Sequence, residues 1–188
     1  MRISPLLIKS SIQDSKVATI SPTSKTATKK IINTIDPTKD LNILEYGPGT
    51  GALTIPLLKK ISPESKILAI ERNQRLYNHL SNVEDGRLKL IKGDVLNLPQ
   101  ILRGLNLREE FNIILSGIPF SFLPEAKAEK ILEQTEKSLT REGKFIAYQF
   151  SPKLKSLLST KFSSIQESKT LLNIPPLRIY VCQKNPKN

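Results

Sequence analysis

The sequence predicts an α/β protein: an open, doubly wound, mostly parallel sheet with helices on both faces. Three observations carry this. From residue 41 onward, apolar runs of strand length alternate with helical runs. A glycine-rich turn, EYGPGTGALT (45–54), follows the first of these strands directly and opens a helix. The last two runs, FSSIQESKTLL (162–172) and LRIYVCQK (177–184), have no helix between them. Alternation implies parallel strands joined by crossovers, and two successive strands without a crossover make an antiparallel hairpin.

The elements follow in order. Pro5 can open a short N-terminal helix, with Leu6, Leu7, Ile8 and Ile12 apolar and Arg2, Lys9 and Lys16 basic. SPTSKTATKKIINTIDP (21–37) reads as a helix capped by Thr23 or Ser24 and closed before Pro37, with Ala27, Ile31 and Ile35 recurring on a core-facing side. LNILEY (41–46) is a buried strand, GALTIPLLKKI (51–61) a helix that accepts Pro56 near its first turn, and KILAIE (66–71) a second strand. NQRLYNHLSN (73–82) is a helix, RLKLIKGD (87–94) a third strand and FNIILSG (111–117) a fourth. PEAKAEKILEQTEKSL (124–139) is a helix with Pro124 just inside its start, GKFIAYQF (143–150) a fifth strand, and a last helix is expected near 151–160.

Composition bounds the function. The 188 residues suit one domain with a single core. No apolar run approaches the ~20 residues that span a bilayer, and the N-terminus, with no small-residue cleavage site, reads as retained. One cysteine, Cys182, excludes an internal disulfide and a cysteine metal cluster and fits a reducing cytosol; one histidine, His79, excludes a multi-histidine zinc site. His79 falls mid-helix and reads as a surface residue. The net charge of +12 is uneven: residues 1–40 carry a surplus of four positive charges, residues 151–188 a surplus of six, and the 110 between them only two. Basic flanks on a near-neutral middle suit contact with a polyanion, and nucleic acid or an anionic membrane surface fit equally on charge alone.

Chemistry concentrates at the predicted carboxyl ends of the strands. Gly47, Gly49 and Gly51 are spaced G-x-G-x-G, one place short of the dinucleotide fingerprint, and no G-K-S/T follows to make a P-loop. Glycines at such a turn let a ligand lie against bare backbone. Glu71 ends the second strand twenty residues after Gly51, where a carboxylate can accept both hydroxyls of a ribose; Asp94 ends the third, where one can accept from an exocyclic amine such as adenine's.

This set resembles the class I S-adenosylmethionine-dependent methyltransferases over roughly residues 23–183. The resemblance implies a seven-stranded, Rossmann-like sheet whose last strand is inserted antiparallel, and S-adenosylmethionine as cofactor. It places Tyr46, Gly47, Gly49 and Gly51 around the methionine part, Glu71 with Arg72 at the ribose, Asp94 with Val95 near the adenine, and Ser116 beside the transferable methyl.

Two families share the E-x-G-P-G-x-G-A-L-T style of loop. In ribosomal RNA adenine dimethylases the fourth strand ends in an Asn-Leu-Pro-Tyr type motif that holds the flipped base; here the residues are SGIPF, Ser116 to Phe120, without the asparagine. The chain is more similar to bacterial phospholipid N-methyltransferases, which convert phosphatidylethanolamine stepwise to phosphatidylcholine, at SGIPFSFLP (116–124), YQFSP (148–152), NIPPLRIYV (173–181) and SKVATISPTSKTATKKI (15–31). That resemblance implies a basic, membrane-contacting segment at 1–22 and a methyltransferase domain at 23–188, working in the cytoplasm at the inner face of the membrane. Ser116, Gly117, Pro119, Phe120 and Tyr148 are then the catalytic candidates, and Ser24, Lys25 and Arg178 the headgroup candidates, with Lys29 and Lys30 near the lipid phosphate. Tyr148 and Tyr46 are candidate proton acceptors, Phe120 can stack on a base or face an ammonium, and Phe122 is equally a core residue. Methylation of adenine in ribosomal RNA and a non-catalytic cofactor-binding module stay open as alternatives. No metal is expected.

Overall fold

The computed structural model describes residues 24–107, 110–170 and 176–184. The expected N-terminal segment at 1–22, the Thr23 cap and most of the NIPPLRIYV block's first half lie outside these residues.

The described chain opens with helix α1, Lys25–Ile32. Ser24 caps it: its Oγ accepts from the Ala27 N–H at 3.2 Å, which satisfies a helix-end donor that has no intrahelical partner. The period read in the sequence is the buried stripe, with Ala27 and Ile31 fully buried and Ile35 nearly so. Ile31→Ala would cost about 2–5 kcal/mol from lost burial and the cavity left behind.

Seven strands form one sheet: β1 Asn42–Tyr46, β2 Lys66–Glu71, β3 Leu88–Lys92, β4 Phe111–Ser116, β5 Leu139–Gln149, β6 Phe162–Thr170 and β7 Leu177–Lys184, in the order β3-β2-β1-β4-β5-β7-β6. The first five run parallel, and β7 lies antiparallel between β5 and β6. This is the inserted last strand that the sequence resemblance implied. The helices α2 Thr54–Leu58, α3 Gln74–Leu80, α4 Leu98–Gly104, α5 Glu125–Ser138 and α6 Leu154–Leu158 complete the fold.

Strand alternation sorts the core into two layers. Leu44 and Tyr46 of β1 join Leu68, Ile70, Ile114 and the α5 residues Ala128, Ile131 and Leu132 on one face. Ile43 joins Ile67, Ala69, Ile113, Leu115 and Tyr148 with Ala27 and Ile31 of α1 and Leu57 and Leu58 of α2 on the other. With both faces covered, central strands such as β1 are buried at every position after Asn42.

Four elements differ from the sequence reading. A 3₁₀ turn at Val95–Asn97 and α4 were not anticipated. Their short stretch, VLNLPQILRGLN, has Pro99 in the first turn of α4, where a missing N–H costs nothing, and buries only Val95, Leu98 and Leu102. Helix α2 is five residues long, because the chain stays in the glycine turn until Leu53; Pro56 falls within its first turn. Strand β5 starts at Leu139, four residues early, and takes up the surplus as a register shift opposite Phe111–Ile113.

Candidate active site

Strands β1, β2 and β4 end level, with Tyr46 in register with Ile70 on one side and Ser116 on the other. From β1 the chain winds outward to β2 and β3, then returns to place β4 on the opposite side. The gap above β1 is therefore a topological switch point, where open α/β sheets bind ligands. Two backbone bonds draw the loops together there: Gly47 N–H donates to the Ile70 carbonyl at 2.9 Å and Gly117 N–H to the Tyr46 carbonyl at 3.1 Å.

The glycine turn has the conformation its spacing suggested. Gly49 and Gly51 take φ of +60° and +77°, the left-handed region that favours glycine. At Gly51 a Cβ would fall 2.6 Å from Leu80 Cδ1, whereas at Gly49 it would meet nothing within 4 Å. Gly51 packs the turn onto α3, and Gly49 leaves bare backbone facing open space, which suits close approach by a ligand.

Glu71 is nearly buried and ties this turn to β2: Oε2 accepts from the Gly49 N–H at 3.1 Å and Oε1 from the Asn73 N–H at 2.7 Å. Each oxygen keeps a further lone pair, so the carboxylate can still accept from a diol. Asp94 caps the 3₁₀ turn by accepting from the Leu96 N–H at 3.0 Å, and Arg72 Nη1 lies 3.9 Å from its Oδ2. Val95 is buried beside it. The residues expected for a nucleoside therefore share one edge.

The acceptor side departs further from the sequence reading. Ser116 is buried and its Oγ accepts from the Ile118 N–H at 3.3 Å, which shapes the turn. A Cβ on Gly117 would fall 2.8 Å from the Tyr148 hydroxyl oxygen. Phe120 does not face the opening: it is buried, meets Phe145 edge-on with centroids 6.4 Å apart, and its N–H donates to Gln149 Oε1 at 3.1 Å. A single 3₁₀ turn at Phe120–Phe122, following Pro119, turns one aromatic inward and the other outward. Phe122 is the exposed one, at 56%.

Four more expectations are corrected. Tyr46 is fully buried with its hydroxyl 3.2 Å from Thr135 Oγ1, so only its backbone reaches the site, and burial raises its phenol further from ionisation. Tyr148 is also buried, and burial, with Glu45 nearby, pushes its hydroxyl well above the usual tyrosine range, so the surroundings disfavour the ionised form of both phenols. Arg178 is not free for a headgroup, being paired with Glu167. Ser24 Oγ serves its own helix, while Lys25 is exposed and Lys30 Nζ donates to the Lys169 carbonyl at 3.1 Å. His79 is exposed, as read.

Sequence reasoning passed over Glu45. It is fully buried at the end of β1, its Oε2 accepts from the Thr54 hydroxyl at 2.8 Å, and its Oε1 has no hydrogen-bond partner among the described residues. Burial, opposed by the Thr54 bond and reinforced by Glu71, raises its pKa from 4.5 to about 7. An acid inside an otherwise buried strand, NILEY, was the available signal. Among the described residues no group of three or more His, Cys, Asp or Glu is placed to hold a metal ion, and no helix is long and apolar enough to cross a membrane.

Residues 22–136 match the family of the ribosomal RNA adenine dimethylases. A ribosomal RNA small subunit methyltransferase A from Legionella pneumophila (strain Corby) is 40% identical over 94 residues, 49% of this chain and 34% of that protein. The chain thus spans about a third of the length of that curated relative. An ornithine lipid N-methyltransferase from Singulisphaera acidiphila is 21% identical over 173 residues, 89% of this chain and 88% of that protein. Among solved structures, the N-methyltransferase NodS from Bradyrhizobium japonicum WM9, in complex with S-adenosyl-L-homocysteine, superposes with a TM-score of 0.70 at 11% identity, covering 88% of this chain and 89% of that one. Human methyltransferase-like protein 13, also with that product, gives 0.63 at 18% identity over 86% and 77%.

Proposed function

The chain belongs to the ribosomal RNA adenine dimethylase family, and from that footing we propose that it methylates not a base but a primary amine on a lipid headgroup. By family and fold it is a class I S-adenosylmethionine-dependent methyltransferase. The proposed acceptor is phosphatidylethanolamine and its methylated derivatives, or another lipid amine of the same kind, presented at an anionic membrane surface on the cytoplasmic side.

One observation carries this reading. In the Asn-Leu-Pro-Tyr type motif an asparagine precedes the apolar-Pro-aromatic run; here that position is Gly117, and the Tyr148 hydroxyl stands where its side chain would begin, 2.8 Å from an added Cβ. The amide that would hold an adenine is absent and its space is filled. The aromatic in the stacking position, Phe120, is buried against Phe145. Similarity to the ornithine lipid enzyme runs nearly end to end in both chains, which supports the same acceptor class.

S-adenosylmethionine, when bound, supplies an electrophilic methyl on its sulfonium sulfur. The chain's contribution is alignment and exclusion of water. The glycine turn and Glu71 would hold the nucleoside and methionine parts, with Asp94 at the adenine. The Tyr148 hydroxyl, kept neutral by burial, would accept an N–H of the amine and aim its lone pair. Desolvation between Ile118, Tyr148 and the turn favours the neutral, nucleophilic amine over ammonium. Phe122 is the exposed aromatic that can meet a methylated ammonium or the headgroup layer, by cation–π attraction of about 0.5–2 kcal/mol.

The test uses methyl-labelled S-adenosylmethionine with vesicles containing phosphatidylethanolamine and an anionic lipid, and structured ribosomal RNA as a separate acceptor. The reading expects label in mono-, di- or trimethylated lipid. Label confined to RNA would overturn it in favour of the second reading, adenine N6-methylation, which the family match and the 40% identical stretch support. Cofactor binding without label in either would leave a binding module.

A further inference from the structure

Strand β5 reaches the edge of the site with two consecutive side chains that go opposite ways. Ile146 and Tyr148 join the layer of α1 and α2, whereas Phe145 and Ala147 join the layer of α5, and strand alternation puts Gln149 with the latter. Tyr148 meets the acceptor turn at Gly117. Gln149 meets the same turn from the other face of the sheet, where its Oε1 accepts from the Phe120 N–H at 3.1 Å. Its Nε2 donates to the Ser151 carbonyl at 2.8 Å, in the loop that leads into α6. Gln149 is itself buried, a polar side chain at a position that packing alone would fill with an apolar one.

The two partners demand a carboxamide in one orientation. Flipped, its NH2 would confront the Phe120 N–H and its oxygen the Ser151 carbonyl. Neither partner depends on it for satisfaction: the Phe120 N–H also donates to the Ile118 carbonyl at 3.0 Å, and Ser151 is only partly buried. What the amide adds is position. The turn it holds is stiff within itself, with Pro119 at φ −79° and the Phe122 and Leu123 N–H groups donating to the Pro119 and Phe120 carbonyls at 3.0 and 3.1 Å. Such a unit moves as one body. Anchored at Gly117 alone it would swivel about that point, and the second anchor at Phe120 sets its direction. That direction sends the Phe120 ring toward Phe145 and the Phe122 ring outward.

We propose that Gln149 is a positioning residue for methyl transfer, latching the acceptor turn to the loop after β5 so that the turn keeps one setting relative to the transferable methyl. The amide acts through the backbone of the turn and not on the substrate. In-line displacement tolerates little misplacement, and a shift of about 1 Å costs on the order of a hundredfold in rate. The inference rests on the reading that this turn receives the acceptor; it does not need that acceptor to be a lipid.

The test compares the full chain with Gln149→Met, which keeps the length and unbranched bulk, and Gln149→Glu, which keeps an oxygen for the Phe120 N–H but loses the donor to Ser151. Amide exchange followed by NMR reads the latch with no acceptor present. In Gln149→Met the Phe120 N–H should exchange about tenfold faster while Ile114 in β4 keeps its rate. In Gln149→Glu the Phe120 rate should stay near that of the unaltered chain. The chain has no tryptophan, so Phe122→Trp supplies a lone reporter of the turn. Adding Gln149→Met to it should lower the fluorescence anisotropy, and adding Gln149→Glu should lower it less. With labelled S-adenosylmethionine and vesicles of phosphatidylethanolamine and anionic lipid, Gln149→Met should lower kcat more than about tenfold. KM for S-adenosylmethionine should stay within about twofold, with native-like melting, and Gln149→Glu should restore most of the rate. Unchanged Phe120 exchange and anisotropy in Gln149→Met would overturn the proposal, as would a kcat loss that merely tracks the melting temperature across both variants. If the unaltered chain labels RNA and not vesicles, the lipid reading fails, and exchange and anisotropy still decide the latch.

Discussion

Asparagine at position 117 would have to displace Tyr148, because even a Cβ there falls 2.8 Å from the tyrosine oxygen. Gly117→Asn is therefore expected to cost about 1–3 kcal/mol of stability by overpacking and to lower lipid methylation more than tenfold. Denaturant melts and the labelled-methyl assay measure the two effects, and unchanged lipid turnover would show that this contact does not shape the site. Glu45 makes a second prediction, on stability. Its pKa is raised from 4.5 to about 7, so the folded state holds a proton that the unfolded chain has lost in that window. Its favourable contribution is full below pH 4.5 and lost as pH rises through 7. The cofactor-free protein should lose roughly 3 kcal/mol from this group across the window, and Glu45→Gln should remove that slope in urea melts at pH 5 and 7.5. The glycines, Glu71 and Asp94 were legible from spacing, since the glycines follow β1 directly, Glu71 ends β2 and Asp94 lies two residues past β3. Glu45 was not assigned a role, because the depth of its burial comes from the packed surroundings and shows in NILEY only as an acid within an apolar strand.

The acceptor turn shows what an element can hide from a sequence reader. Phe120 and Phe122 look interchangeable in SGIPFSFLP, and the expectation assigned the stacking role to the first. One 3₁₀ turn reverses it: Phe120 packs edge-on against Phe145, while Phe122 is 56% exposed. Phe120→Ala should therefore cost about 3–5 kcal/mol and depress all activity through unfolding. Phe122→Ala should leave stability within about 0.5 kcal/mol yet reduce turnover on vesicles; equal melting losses for the two variants would refute the assignment. Strands were easier to read than short helices. Buried parallel strands are continuous apolar runs, and the lack of a helix between β6 and β7 revealed the antiparallel end. Helix α4 escaped because two buried leucines in seven residues make too little periodicity to register.

At the scale of the molecule, ten of the twelve excess positive charges belong to the first forty and last thirty-eight residues. Of the described basic residues there, Lys25 and Lys29 on α1 are exposed, whereas Arg178 is held by Glu167. Attraction to anionic lipid of about 1 kcal/mol per nearby base predicts vesicle flotation that requires anionic lipid and fades between roughly 0.1 and 0.5 M salt as the Debye length shrinks. Binding that ignores both salt and lipid charge would contradict this. RNA is also a polyanion, so association alone does not decide the acceptor; chemistry does. The most direct measurement is a competition in one vessel, with vesicles of phosphatidylethanolamine and anionic lipid, structured ribosomal RNA, and limiting labelled S-adenosylmethionine. The account predicts that the label enters the lipid amine and leaves the RNA unmarked. Label in adenine, with the lipid untouched, would contradict it.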